Sequence, residues 1–128
     1  MNDDDQKFER GVAEFNAGRF FEAHEAWEEL WLSAAEPEKT YLQGLIQIAA
    51  AFHHHARRNP RGAQSLLLAG IAKLNGCPSD FRGIGVAGLQ REATRWVEIL
   101  CRMEESEALE LPKIRVAKAK GTKRKRGG

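Results

Sequence analysis

The apolar residues of this chain recur three and four positions apart, and no stretch alternates apolar with polar side chains for long. That period fits a helix turning about 100° per residue and excludes the half-buried strand, whose faces alternate every second residue. Phe8, Val12 and Phe15 set a first helix over Asp4 to Phe15, with Asn16-Ala17-Gly18 as its stop. A second helix starts near Phe20 and fades at Ser33 or Ala34, ahead of Glu36-Pro37, and a third runs from Glu38 to Arg58. Asn59-Pro60 reads as an N-cap and first-turn proline of a fourth helix that ends near Asn75-Gly76. Residues 76–86, with Pro78, Gly76, Gly83 and Gly85, read as a loop. Leu89, Ala93, Trp96, Val97, Leu100 and Met103 share one face of a fifth helix. The expected fold is all-α, a compact single-domain bundle of about five helices.

Charge divides the chain unevenly. Every Asp and Glu lies at or before Glu110, while Lys113, Arg115, Lys118, Lys120, Lys123, Arg124, Lys125 and Arg126 follow it. The sequence therefore predicts an acidic helical domain over residues 1–112 and a basic, disordered tail over 113–128. Such a tail is suited to neutralising phosphates, which makes a nucleic acid one expected partner. It carries no aromatic residue among its charges, so it offers no base stacking. No apolar run is long enough to span a bilayer, and the acidic opening Met1-Asn2-Asp3-Asp4-Asp5 is unlike a signal peptide. Cys77 and Cys101 have neither ligand-like spacing nor the number for a disulfide framework. A cytoplasmic protein with no membrane partner is expected.

The second helix carries the candidate chemistry. Its apolar arc takes in Phe20, Phe21, Ala23, Trp27, Leu30 and Trp31, and His24 and Glu28 fall inside that arc, one turn apart. Glu22, Glu25 and Glu29 fall outside it. A carboxylate buried without a partner costs several kcal/mol. Glu28 is therefore expected to be buried and bonded to His24 or to a side chain of the third helix. That helix is apolar nearly all round and should be central, with Gln43, Gln47 and His54 as a polar stripe facing its neighbour. His53, on the aliphatic side, competes with His54 for the cluster, whereas His55 is expected to be solvated.

His53, His54 and His55 cannot converge on one ion, because adjacent helical residues point about 100° apart. His24 and Glu28 joined by His53 or His54 would make an open three-ligand site for a divalent metal. The same residues, bracketed by Trp27 and Trp31, would serve equally as a polar network that fixes helix register. No phosphate-cradling glycine loop, Cys-x-x-Cys pair or nucleophile elbow is expected, which argues against a nucleotide enzyme, a zinc ribbon and an α/β hydrolase.

The block Phe15-Asn16-Ala17-Gly18-Arg19-Phe20-Phe21-Glu22-Ala23-His24-Glu25-Ala26-Trp27-Glu28-Glu29-Leu30-Trp31 resembles the prokaryotic family known as domain of unknown function 309. Its His-x-x-x-Glu-x-x-Trp hallmark is met by His24, Glu28 and Trp31. Leu42-Gln43-Gly44-Leu45-Ile46-Gln47 through His53, and Asn59-x-x-Gly62-Ala63, are similar to it as well. The resemblance covers roughly residues 8–100 and implies a compact all-helical fold with no established activity, and a suspected catalytic or metal role for the His/Glu motif. The chain departs from the family pattern at Arg58, where a glycine often precedes the asparagine, and at Gly85, where aspartate is common.

Three functional readings follow. The leading one is a non-catalytic scaffold or binding module for a small molecule or protein, with a polar cluster of His24, Glu28, Trp31, Gln43, Gln47, His53 and His54. A second is a metal-dependent hydrolase-like enzyme using His24, Glu28 and His53 or His54, and a divalent metal is the less favoured cofactor. A third is an RNA-associated accessory protein acting through residues 113–128.

Overall fold

Asn2 begins the first helix by accepting the Asp5 N–H on its side chain (2.8 Å), and Asp3, Asp4 and Asp5 place negative charge on the positive end of the helix dipole. In the computed structural model, which describes residues 2–102 and 111–116, the helices are α1 (Asp3–Asn16), α2 (Phe20–Ser33), α3 (Glu38–Ala56), α4 (Pro60–Lys73) and α5 (Val86–Cys101). The expected all-α bundle and its boundaries hold to within a turn. Asn59 caps α4 by accepting the Gly62 N–H (3.1 Å), with Pro60 in the first turn. The predicted loop contains one short 3-10 turn, Phe81–Gly83, whose Phe81 packs on Phe8 (6.1 Å between ring centres) and Tyr41 (5.5 Å).

The third helix is central, as its apolar circumference requires. It packs against α2 on one side and α4 on the other, with α1 beyond α2 and α5 against α4. The approach to α4 is close because two glycines face each other. A methyl on Gly70 would lie 2.8 Å from the Gly44 carbonyl oxygen, and one on Gly44 would lie 3.0 Å from the Gly70 carbonyl oxygen. A chain of rings, Phe15, Phe20, Phe52 and Trp96, joins α1, α2, α3 and α5 at one end of the bundle. Near the other end, Arg82 donates from Nε to Glu38 Oε2 (2.8 Å) and from its second terminal nitrogen to Glu38 Oε1 (3.2 Å). Its remaining nitrogen reaches Asp5, and its guanidinium lies 5.3 Å from the centre of the Phe8 ring. One side chain thereby holds the start of α1 and the start of α3 together.

The structure corrects the expected domain boundary at Lys113. Residues 111–116 lie against the bundle, and Ile114 is only 3% exposed, within the core. Asn16 grips its backbone from both sides: the Ile114 N–H donates to Asn16 Oδ1 (2.6 Å), and Asn16 Nδ2 donates to the Ile114 carbonyl (3.0 Å). The Gly85 N–H donates to the Arg115 carbonyl (2.8 Å), and Ile84 and Val116 form an isolated antiparallel bridge. A single isoleucine between two basic residues carries no periodicity, which is why the arm reads as tail in the sequence. Residues 117–128, and Met103 of the predicted α5 face, lie outside the described residues. Among the described residues no helix is long and apolar enough to cross a membrane.

Candidate functional site

The buried side of α2 is narrower than its composition suggests. Phe20, Ala23, Ala26, Trp27 and Leu30 face the core, while His24 and Trp31 lie at the edge of that arc. Phe21 is 48% exposed. Including Phe21 among the core residues widens the predicted arc enough to enclose Glu28. In the structure Glu28 is exposed, makes no hydrogen bond or ion pair among the described residues, and faces a groove of about 430 Å³. Arg10 and Glu14 of α1 and Glu22, Glu25, Glu29 and Leu32 of α2 line the same groove. The expected burial of Glu28 against His24 is therefore incorrect. The physical reason is that Phe21 turns outward and packs on imidazoles instead of on the core.

The adjacent aromatics Phe20 and Phe21 divide between the two sides of the helix. Phe20 meets Phe52 at 5.4 Å between ring centres, on the core side. Phe21 stacks on His24 at 6.1 Å with the rings 13° from parallel, and meets His53 of α3 at 5.5 Å. At the far end of the hairpin, Lys39 donates to the Trp31 carbonyl (3.0 Å) and lies 4.2 Å from the centre of the Trp31 ring. These contacts fix the register of α2 against α3, with residues 20 and 21 beside 52 and 53, and residue 31 beside 39. His24 then stands level with Gln47 and Ile48. His24 Nδ1 and Gln47 Oε1 are both buried atoms with no hydrogen-bond partner among the described residues.

From His53 the ring contacts continue into the α3–α4 turn. His53 meets His54 edge to face at 6.1 Å, and His54 Nδ1 lies 3.0 Å from Asn59 Nδ2. The Asn59 amide nitrogen can only donate, so His54 Nδ1 is the acceptor in this contact. His55, expected to be solvated, is half-buried against Trp96 of α5, with ring centres 5.0 Å apart. Trp27, expected to bracket the cluster, is fully buried on the other side of α2. There its Nε1 donates to the Phe8 carbonyl (3.2 Å), and the indole lies over Gly11, where no Cβ would fit. Gln43 is half-buried on α3.

Among the described residues no three His, Cys, Asp or Glu side chains come together as a group able to hold a metal ion. His24, Glu28, His53 and His54 do not converge, because Glu28 lies on the outward side of α2. The donor set does not fit the metal site that the family resemblance implied.

Two further features lie outside the expected cluster. One is the turn run Arg57-Arg58-Asn59-Pro60-Arg61, where Arg58 adopts a positive φ of 61°. This is the left-handed region that suits the glycine of the family pattern, so the departure at Arg58 alters a turn. The other is Gly83-Ile84-Gly85-Val86-Ala87-Gly88, which has the glycine spacing of a dinucleotide loop. Here it follows a 3-10 turn rather than a strand. Its Gly85 and Val86 N–H groups are taken by the carbonyls of Arg115 and Ser79, so they are not available to a phosphate. Gly85 is the N-cap of α5, and it supplies no side-chain cap.

Two known proteins are similar to this chain over part of its length. Over 77 residues the chain is 34% identical to an "Uncharacterized protein" of Aquifex aeolicus (strain VF5), covering 59% of this chain and 23% of that protein. Over 80 residues it is 42% identical to "Uncharacterized protein YpuF" of Bacillus subtilis (strain 168), covering 61% of this chain and 44% of that one. The chain thus spans less than half the length of either relative. Residues 8–66, which contain His24, Glu28, Trp31, Gln43, Gln47, His53 and His54, match the family described as Domain of unknown function (DUF309).

Proposed function

We propose that this protein is a non-catalytic helical binding module whose partner docks on the α2–α3 edge formed by Phe21, His24 and His53. One observation carries the reading: a phenylalanine 48% exposed yet held in place by two imidazoles. Single exposed apolar residues are common, and Leu32 and Leu68 are also exposed. Phe21 differs because its ring is fixed in a frame of polar rings, which lowers the entropy cost of binding against it. Beside it, His24 Nδ1 retains unused hydrogen-bonding capacity among the described residues. A cytoplasmic location is supported by the two free cysteines, Cys77 and Cys101. Metal chemistry draws no comparable support, since among the described residues His24, Glu28, His53 and His54 do not come together as a ligand group.

Two-dimensional NMR of the labelled chain against small heteroaromatic fragments tests the reading. Shift changes are expected to concentrate on Phe21, His24 and His53, and Phe21→Ala should abolish them while leaving the melting temperature nearly unchanged. Changes scattered over other surfaces, or indifferent to Phe21→Ala, would overturn it.

A further inference from the structure

We infer that the partner class of this edge is a single-stranded nucleic acid, bound by the end of the bundle where α2 begins and the α3–α4 turn lies. The inference rests on the reading of Phe21 as part of a binding surface and extends it to the charges beside it. Contacts run without a break from Phe21 to His53 (5.5 Å), to His54 (6.1 Å) and to Asn59 (3.0 Å). Arg57 and Arg58 flank Asn59 on one side, and Arg61 follows just after Pro60. All three arginines are exposed, and none forms a salt bridge or a side-chain hydrogen bond among the described residues.

Unpaired guanidiniums on a short turn form a concentrated positive surface, and residues 52–79 contain no acidic side chain to offset it. The acidic side chains of α2 limit the surface in the other direction. Glu25 and Glu28 follow Phe21 by one and two turns, and Glu22, Glu25, Glu28 and Glu29 line the α1–α2 groove. A polyanion crossing Phe21 is therefore repelled along α2 and drawn across α3 toward Arg57, Arg58 and Arg61. A flat ring with imidazoles at its margin, next to a cationic track, matches what single strands require: a face for a base and cations for the backbone. A duplex, whose bases are stacked inward, would leave the Phe21 ring unused.

Fluorescence anisotropy of the full chain with short labelled oligouridylate and oligodeoxythymidylate tests this, with inorganic polyphosphate as a competitor that has charge but no bases. Arg57→Gln/Arg58→Asn/Arg61→Gln should lower the slope of log affinity against log salt by about 2, since each single-strand phosphate contact contributes about 0.7. Asparagine at 58 tolerates the positive φ. Should the triple variant fail to fold, Arg61→Gln alone should lower the slope by about 0.7. Phe21→Ala should weaken oligonucleotide binding about tenfold and leave polyphosphate binding unchanged. Wild-type affinity and slope in all these variants would overturn the inference, because residues 113–128 would then account for the binding. Equal loss of polyphosphate binding in Phe21→Ala would overturn it too. If no oligonucleotide binds while fragments still map to Phe21, the ligand class falls and the binding surface stands.

Discussion

Ile114→Ala tests whether the C-terminal arm belongs to the fold. The side chain is 3% exposed and packs within the core, although it lies beyond the last helix. Truncating a buried isoleucine to alanine typically costs about 2–5 kcal/mol, with the lower values where the surroundings can close over the gap. The arm is an extended segment outside the helices, so it can relax, and a loss of about 2 kcal/mol is the appropriate figure. For a domain of this size that lowers the melting temperature by roughly 6–12 °C. Asn16→Ala should cost about 1–3 kcal/mol by another route, because it removes both the acceptor of the Ile114 N–H and the donor to its carbonyl. If either change releases the same arm, the two losses should not add, and the double variant should be little worse than the poorer single one. Circular dichroism melts of the four proteins measure this directly. A fall of less than about 2 °C for Ile114→Ala would refute the docked arm, and so would fully additive losses. Truncation after Val116 removes none of these contacts and should leave the melt unchanged, whereas truncation after Pro112 removes all of them.

Four further outcomes are expected. Gly70→Ala places a methyl 2.8 Å from the Gly44 carbonyl oxygen and from Ile48 Cγ1, so it should destabilise by about 1–3 kcal/mol in denaturant titration despite the gain in helix propensity. Gly85→Asp supplies the side-chain cap that α5 lacks, at φ −86° with its nearest neighbour 3.7 Å away, and should raise stability by about 0.5 kcal/mol in the same assay. Glu28→Ala should change stability by less than about 0.5 kcal/mol, because Glu28 is exposed and unpaired among the described residues; a loss above about 1 kcal/mol would mean that the carboxylate is buried in solution. Burial pushes the Cys77 thiol up to about 11, so at pH 8 it stays protonated, and mass spectrometry should find iodoacetamide on exposed Cys101 well before Cys77.

The helices were legible because each is bounded by a chemical signal as well as a period. Asn59 and Pro60 set the start of α4 whatever lies around them, and Gly18, at φ 81°, ends the first helical segment. The centrality of α3 followed from its apolar circumference, and its close approach to α4 is made by Gly44 and Gly70 together. Ile114 was not legible in this way. Its place depends on Asn16, 98 positions away, and one buried residue in an extended arm leaves no pattern in a window of sequence.

The candidate site shows a different limit, set by how a helical wheel treats an aromatic residue. Assigning Phe21 to the core is reasonable when rings are treated only as apolar area. That single assignment brought Glu28 inside the arc and made a His24–Glu28 pair seem necessary. A ring can also be satisfied by other rings at the surface, and here His24 and His53 supply them. Once Phe21 is moved outward, the carboxylate needs no partner, His24 keeps its place at the edge of the core, and the motif separates into two surfaces. Glu28 joins the acidic groove between α1 and α2, and His24 joins the aromatic edge that leads to Arg57, Arg58 and Arg61. A three-residue motif on one helix thus faces both ways, and a role for one of its members need not involve the others.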